Sequence, residues 1–275
     1  MAPQDTEEDL TRKERREQAR AQRRALEQAE AAGASRRKRL QLLGGALGVV
    51  VVAVIIILVA SGGGGSKPGI EHSGNGPTKV TKEVSELLGG IPQSGNALGK
   101  STAPVTLQYF GDLECPICRD FTLGALPFLI DRWVRGGDLR IEYRSLETAT
   151  REPETFHKQQ VAAYAAGAQG KGWNFIETFY HEQGEEDSGY VTESYLDEIA
   201  KQVPGLNIAE WRQARSDKKF GNEVEEDQQA ANNEGFTGTP SFLLGRSGGQ
   251  LKKYEYTSLS DPSGWNTSIE ALLKS

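Results

Sequence analysis

The residues best suited to chemistry are Cys115 and Cys118, the only cysteines among the 275 residues of the chain. They stand in the stretch Cys115-Pro116-Ile117-Cys118, which follows directly on a predicted strand. This spacing brings both sulfurs to the first turn of a helix, where two thiols can close into a small disulfide ring and open again. The pair therefore predicts thiol-disulfide exchange.

Other interpretations of the cysteine pair stay open at this point. A Cys-x-x-Cys pair can supply half of a zinc site, but zinc needs two more ligands, and His72, His157 and His181 do not stand at ligand spacing. The pair could also be a purely structural disulfide. A cysteine hydrolase that joins Cys115 to one of the histidines is a further alternative, although it leaves Cys118 without a role. We expect no metal ion and no cofactor.

The predicted position of Cys115 favours its thiolate. A helix N-terminus carries unpaired N–H groups and the positive end of the helix dipole, and both stabilise a negative charge on the sulfur. Pro116 suits the first helical turn, because the N–H that it lacks is not needed there. Cys118 lies one turn inside the helix and is expected to be less accessible.

An uncharged apolar run at residues 40–60 predicts a transmembrane helix, since about twenty such residues cross the bilayer core. A cleaved signal peptide is the competing interpretation, but its apolar core is usually shorter. Arg36-Arg37-Lys38-Arg39 precedes the run, and no charge follows it until Lys67. The positive-inside bias therefore predicts a single-pass protein of the cell membrane, with a cytoplasmic N-terminus and an extracytoplasmic domain, where a disulfide is useful.

The remaining composition divides the chain into three parts. Residues 1–39 hold eleven Lys/Arg and eight Asp/Glu and predict a charged cytoplasmic arm without a core. Residues 61–91, rich in Gly, Ser, Lys, Pro and Thr, predict a flexible linker that is interrupted by a short helical piece around Val80 to Leu88. The folded domain is expected at residues 92–275. Its acidic balance argues against nucleic acid as a partner.

The pattern within this domain predicts an α/β fold. The helix that opens at Cys115 is expected to run to about Trp133, with a kink at Pro127. The other predicted elements are a strand at Val105 to Phe110, a strand at Leu139 to Leu146, a helical block at about 153–233, a short strand after Pro240, a strand at Leu251 to Tyr256 and a helix at Ser268 to Leu273.

Two motifs together resemble the DsbA-like thiol-disulfide oxidoreductases of the thioredoxin superfamily, in a membrane-anchored bacterial form. The first is Phe-Gly-Asp-Leu-Glu-Cys-Pro-Ile-Cys-Arg-Asp-Phe at residues 110–121, and the second is Gly-Thr-Pro-Ser-Phe at residues 238–242. The similarity covers roughly Ala97 to Leu273. It implies a thioredoxin-like α/β fold with an inserted helical subdomain, preceded in this chain by a single transmembrane helix.

The resemblance also implies roles for individual residues. Cys115 is expected to be the exposed catalytic nucleophile, and Cys118 the buried catalytic thiol that resolves the mixed disulfide. Pro240 is expected to be a cis-proline that packs against the disulfide. Thr239 and Pro240 would form the substrate-binding segment, where the proline residue pairs with the client backbone.

The chain departs from the family pattern at two positions. Ile117, which with Pro116 tunes the motif, stands where strong oxidants of the family have His. Tyr109 stands where several relatives hold a buried acid for proton transfer. Asp112 or Glu114 could substitute for that acid, but solvated turn residues are expected there. Carboxylates so close to the thiol would tend to raise its pKa.

We therefore expect a membrane-tethered, extracytoplasmic oxidoreductase that oxidises cysteine-containing exported proteins and is reoxidised by a membrane redox partner. The alternatives are a thiol reductase, for example in cytochrome assembly, and a non-catalytic thioredoxin-like binding module. The aromatic residues Trp173, Phe175, Phe179 and Tyr180 could line a client groove, but their helical spacing favours a place in the core.

Overall fold

The computed structural model describes residues 77–275. The predicted charged arm at 1–39, the predicted transmembrane helix at 40–60 and residues 61–76 of the predicted linker lie outside this range. Among the described residues, no helix is both long and apolar enough to cross a bilayer.

A mixed sheet of six strands forms the centre of the described domain, in the order β1-β2-β4-β3-β5-β6. The strands are β1 (Gln93–Ser94), β2 (Ala97–Leu98), β3 (Val105–Gly111), β4 (Leu139–Ser145), β5 (Ser241–Arg246) and β6 (Lys252–Lys253). Strands β3 and β4 pair in parallel, and the other neighbours pair antiparallel. Strand β3 is almost entirely buried. Its Val105, Leu107 and Tyr109 side chains belong to the main core, and Phe110 belongs to a smaller buried cluster with Ala231.

Helices surround this sheet. They are α1 (Lys79–Leu88), α2 (Pro116–Leu123), α3 (Ala125–Leu129), α4 (Pro153–Gly167), α5 (Gly172–His181), α6 (Glu193–Lys201), α7 (Ile208–Ala214), α8 (Lys218–Asn233) and α9 (Ser263–Lys274). A π-helical turn, Ile130–Val134, follows α3. The expected helical block at 153–233 is present as α4 to α8, between β4 and β5.

The kink predicted at Pro127 is confirmed: the helix that follows the cysteines breaks at Gly124, just after Leu123, because a proline loses the hydrogen bond to the carbonyl four residues before it and its ring clashes with that carbonyl. Gly124 separates α2 from α3, and a Cβ at this position would collide with the carbonyl oxygens of Asp120 and Leu259. The N–H of Ala125 donates instead to the Leu259 carbonyl at 2.9 Å. Pro127 then falls in the first turn of α3, where its missing N–H costs little.

The aromatic residues of α5 belong to the core, as their spacing favoured. Trp173, Phe175, Phe179 and Tyr180 are fully buried, and Trp173 stacks edge-on against Tyr143 of β4. The alternative in which they line a client groove is therefore wrong.

Two elements near the C-terminus differ in length from the predictions. The strand expected from Leu251 to Tyr256 is reduced to Lys252–Lys253. The helix expected from Ser268 already begins at Ser263, and the Asp261 carboxylate accepts the Ser263 N–H at 2.9 Å just before it.

The predicted linker at 61–91 is too long, because α1 already belongs to the folded domain. Its Val84 and Leu88 side chains are buried in the main core, where α1 contacts α5. The hydroxyl of Thr78 caps the helix by accepting the Thr81 N–H at 3.0 Å. Arg135 donates to the last turn at the Leu87 carbonyl, 2.7 Å away. The packing of α1 on α5 and its hydrogen bond from Arg135 could not be predicted from the sequence, because the partners lie far along the chain.

We expect Leu88→Ala to lower the free energy of unfolding by about 2 to 5 kcal/mol, as is usual for truncating a buried leucine. Denaturant unfolding followed by tryptophan fluorescence measures the effect. Glu86→Ala, at an exposed position of the same helix, is the matched control. Equal stability of the two variants would contradict the packing of α1 on the domain.

Candidate active site

Cys115 is the N-cap of α2, with extended backbone angles that end the turn after β3. Its sulfur accepts the N–H of Cys118 at 3.4 Å, and both cysteines are free thiols. The side chain is 4% exposed and Cys118 is fully buried. The expected exposure of Cys115 is therefore wrong, because the Thr239 segment packs against its sulfur.

The pKa values of the two thiols are shifted in opposite directions. The pKa of Cys115 is lowered to about 7, chiefly by a hydrogen bond from the Cys118 side chain. The Thr239 side chain and the backbone N–H groups of Cys118 and Ile117 lower it further. Burial raises the pKa of Cys118 well above its usual range. At neutral pH the first sulfur is thus available as a thiolate while the second keeps its proton.

The Thr239-Pro240 segment forms the wall opposite the cysteines. The peptide bond between these residues is cis, as the resemblance implied. The thiol of Cys115 donates to the Thr239 carbonyl at 3.5 Å. Beside this loop lies a cleft of about 370 Å³, lined among others by Phe236, Pro240 and Tyr256. The structure thus joins the two motifs, which are more than a hundred residues apart in the chain.

Pro116 and Ile117 form the exposed rim of the site. Ile117 is 42% exposed, which is unusual for a large apolar side chain in this domain. Its backbone N–H is one of the groups that lower the pKa of Cys115. The main chain of Ile117 therefore supports the thiolate even though its side chain has no dipole or charge to offer.

Tyr109, which stands where the family resemblance implied an acid, lies fully buried beneath the cysteines. Its hydroxyl donates to the Cys118 carbonyl at 3.3 Å and lies 3.2 Å from the Tyr180 hydroxyl. Tyr180 in turn donates to the Asp112 carbonyl at 3.1 Å. Burial raises the pKa of Tyr109 well above its usual range, so this residue stays neutral and cannot take a proton from Cys118.

Asp112 and Glu114 are both buried, so the prediction of solvated turn residues is wrong. The Asp112 carboxylate accepts hydrogen bonds from the loop that follows β4. Burial raises the pKa of Glu114 to about 7. The expectation that these carboxyls raise the pKa of Cys115 is wrong, because hydrogen bonds to its sulfur lower that pKa to about 7.

The helical block supplies a further residue that sequence reasoning missed. Gln183, just after α5, donates its side-chain N–H groups to the Leu113 carbonyl at 2.7 Å and the Cys115 carbonyl at 3.1 Å. The chain around Gln183 carries no signal for this role, because the contact spans some seventy positions. The insertion therefore holds the turn that carries the nucleophile.

We expect the reaction rate of the reduced protein with a thiol alkylating reagent to follow the ionisation of Cys115. The rate should be half-maximal near pH 7, rise above that pH and fall below it, because only the thiolate reacts. Cys118→Ala should move the midpoint to higher pH, since it removes the hydrogen bond that lowers this pKa most. Cys115→Ser is the control for residual reactivity, and an unchanged midpoint in Cys118→Ala would contradict the assignment.

Comparison with known proteins agrees with this geometry. A family model described as Thioredoxin matches residues 93–258, which is more than half of the chain. The probable disulfide bond formation protein D of Bacillus anthracis is 25% identical over 164 residues, covering 59% of this chain and 74% of that protein. Disulfide bond formation protein D of Bacillus subtilis is 24% identical over 173 residues, covering 60% and 74%.

Solved structures share the fold. The crystal structure of oxidised BdbD from Bacillus subtilis aligns with a TM-score of 0.56 at 21% identity and covers 67% of this chain and 99% of that one. Alpha-DsbA1 of Wolbachia pipientis aligns with a TM-score of 0.54 at 19% identity, covering 70% and 96%. These likenesses confirm the predicted thioredoxin-like α/β fold. The family match shows that the chain belongs to the thioredoxin family, and the relatives named for disulfide bond formation support its activity as a protein-disulfide oxidoreductase.

Proposed function

We propose that this oxidoreductase is tethered to the cell membrane through residues 40–60 and oxidises cysteine pairs of exported proteins outside the cytoplasm. The observation that carries the oxidase direction is the contrast between the two thiols, with the pKa of Cys115 at about 7 and that of Cys118 raised. Two relatives are themselves named for disulfide bond formation, which supports the same direction.

The reaction begins with the Cys115–Cys118 disulfide. A client thiolate attacks the Cys115 sulfur, the bond between the two cysteines breaks, and Cys118 leaves and takes up a proton. The second client thiolate then attacks the client sulfur of the mixed disulfide and expels Cys115 as a thiolate. The client leaves with a new disulfide, and two electrons have passed to the cysteine pair. Of the two protons that the client thiols gave up, one is taken up by Cys118 and the other goes to solvent, because Cys115 remains a thiolate.

The acidity of each thiol favours this direction. A thiol with a lowered pKa is a better leaving group, so Cys115 departs readily in the second step. Cys118 keeps its proton because it is buried, which slows its return attack on the mixed disulfide. Tyr109 provides no base to deprotonate it. The client therefore resolves the intermediate more readily than Cys118 does.

The client is expected to bind along the cis-proline segment. Thr239 and Pro240 flank the reactive sulfur, and the cleft lined by Phe236 and Tyr256 continues from them. The exposed Ile117 offers an apolar contact on the other side of the sulfur. A membrane redox partner then takes the two electrons from the reduced pair and restores the disulfide.

Two alternatives differ from this proposal in their redox behaviour. A reductase would hold the pair mainly as dithiol and deliver electrons to its partners. A binding module would use the cysteines only as a structural disulfide, so that loss of the disulfide lowers stability without changing client oxidation.

We expect Cys118→Ala to accumulate mixed disulfides with exported proteins in cells, because the return attack by Cys118 is the release route for clients whose second thiol is out of reach of the mixed disulfide, and the variant lacks it. The complexes are resolved on non-reducing gels. They should appear in the membrane fraction and be digested by protease added to protoplasts. The matched control is Cys115→Ala, which should trap none. Absence of exported proteins from the trapped complexes, or their protection from the protease, would contradict the proposal.

We expect the reduction potential of the Cys115–Cys118 couple to lie between those of thioredoxin, about −270 mV, and DsbA, about −120 mV. The lowered pKa of Cys115 stabilises the reduced form and raises the potential, whereas Ile117 adds no side-chain charge that would raise it further. Equilibration with glutathione buffers measures the value. A potential below that of thioredoxin would favour the reductase.

A further inference from the structure

Asp112 is a fully buried carboxylate at the end of β3. Its contacts reach both the turn that carries Cys115 and the loop that lies next to the Thr239-Pro240 segment. Its two oxygens accept hydrogen bonds from the N–H groups of Glu114 (3.1 Å), Thr148 (3.1 Å), Ala149 (2.9 Å) and Thr150 (2.9 Å), from the Thr150 hydroxyl (2.6 Å) and from the Gln159 amide (3.4 Å).

Three of these donors are consecutive backbone N–H groups that converge on one oxygen, Oδ2. Successive N–H groups arranged in this way form an anion-binding nest. A buried carboxylate without donors, or three buried N–H groups without an acceptor, would be costly. The conformation of residues 148–150 and the position of the Asp112 side chain therefore depend on each other.

The loop held in this way carries Thr148 to the cis-proline segment. The hydroxyl of Thr148 lies 2.5 Å from the hydroxyl of Thr239. Thr239 in turn accepts the Cys115 thiol at its carbonyl, 3.5 Å away, and its side chain is one of the groups that lower the pKa of Cys115. A hydroxyl has one hydrogen, so when Thr148 donates to Thr239, the Thr239 hydrogen is free to point at the sulfur.

The main chain of Asp112 binds the turn that carries Cys115. Its carbonyl accepts the Cys115 N–H at 3.0 Å, in the turn that starts α2, and also accepts the Tyr180 hydroxyl. One residue thus sets the position of the reactive sulfur and, through Thr148, that of the segment facing it.

We propose that Asp112 and Thr148 are positioning residues of the thiol-disulfide reaction. The Asp112 carboxylate holds residues 148–150 so that the Thr148 hydroxyl donates to Thr239, and the Thr239 hydroxyl then donates to the Cys115 thiolate. This relay stabilises the reduced form of the couple. The inference rests on the proposed thiol-disulfide chemistry but not on its direction or on its cellular location.

The test compares Thr148→Val, which removes the hydroxyl, with Thr148→Ser, which keeps it. Thr148 is exposed, so neither change disturbs the core. We expect Thr148→Val to raise the midpoint pH of Cys115 alkylation and to shift the equilibrium of the couple with glutathione towards the disulfide by about three- to tenfold, the upper value being about 30 mV. Thr148→Ser should match the unsubstituted protein in both measurements.

Asp112→Asn is the second variant. The amide NH2 group of this variant faces the backbone N–H groups of residues 148–150, so the nest loses at least one hydrogen bond. The midpoint pH of Cys115 alkylation and the equilibrium of the couple with glutathione should therefore move in the same direction as in Thr148→Val. If Asp112→Asn does not fold, the comparison of Thr148→Val with Thr148→Ser tests the proposal by itself.

Unchanged values in Thr148→Val, or equal shifts in Thr148→Val and Thr148→Ser, would overturn the relay. Both measurements use purified protein and need no client. A failure of client trapping in Cys118→Ala would therefore contradict the proposed function and leave the relay standing.

Discussion

The chemistry of this domain depends on one constraint: a sulfur that must carry a negative charge is held at the N-terminus of α2 by hydrogen bonds. Cys118, one turn further along the same helix, supplies both a backbone N–H and a side-chain hydrogen bond. The same burial that keeps Cys118 protonated therefore lets it stabilise its neighbour. Spacing, helix geometry and burial together produce two thiols of unequal acidity from two identical side chains.

A buried polar layer beneath the cysteines supports this arrangement. Tyr109, Tyr180 and Asp112 are fully buried, and their polar atoms bond to one another or to the main chain of the active-site turn. Polar groups in a core are tolerated when they are satisfied, and a satisfied network also fixes geometry. The helical insertion takes part through Tyr180 and Gln183, which bind the turn that carries Cys115.

This layer places Tyr109 below the cysteines, where the family resemblance implied an acid. Tyr109 stays neutral, so it is not a base for Cys118. The acidic residues of this region lie in the turn itself, where Asp112 is bound by backbone N–H groups of residues 148–150. The carboxylate therefore contributes to the structure of the site, and the balance of thiol acidities depends on hydrogen bonds to sulfur.

The sequence alone determined the cysteine pair, the strand before it and the helical block, because each has a local signature in spacing or composition. The cis bond before Pro240 was expected only because the Gly-Thr-Pro-Ser-Phe motif resembles that of a known family. The sequence also predicted that Trp173 and Phe175 are core residues, since helical periodicity reports burial. Only the tertiary structure decided that Asp112 is buried, that Thr148 meets Thr239 and that α1 packs on the domain. These features are contacts between segments far apart in the chain. No local pattern specifies them, because a turn acid or a threonine has the same sequence context whether solvent or another segment covers it.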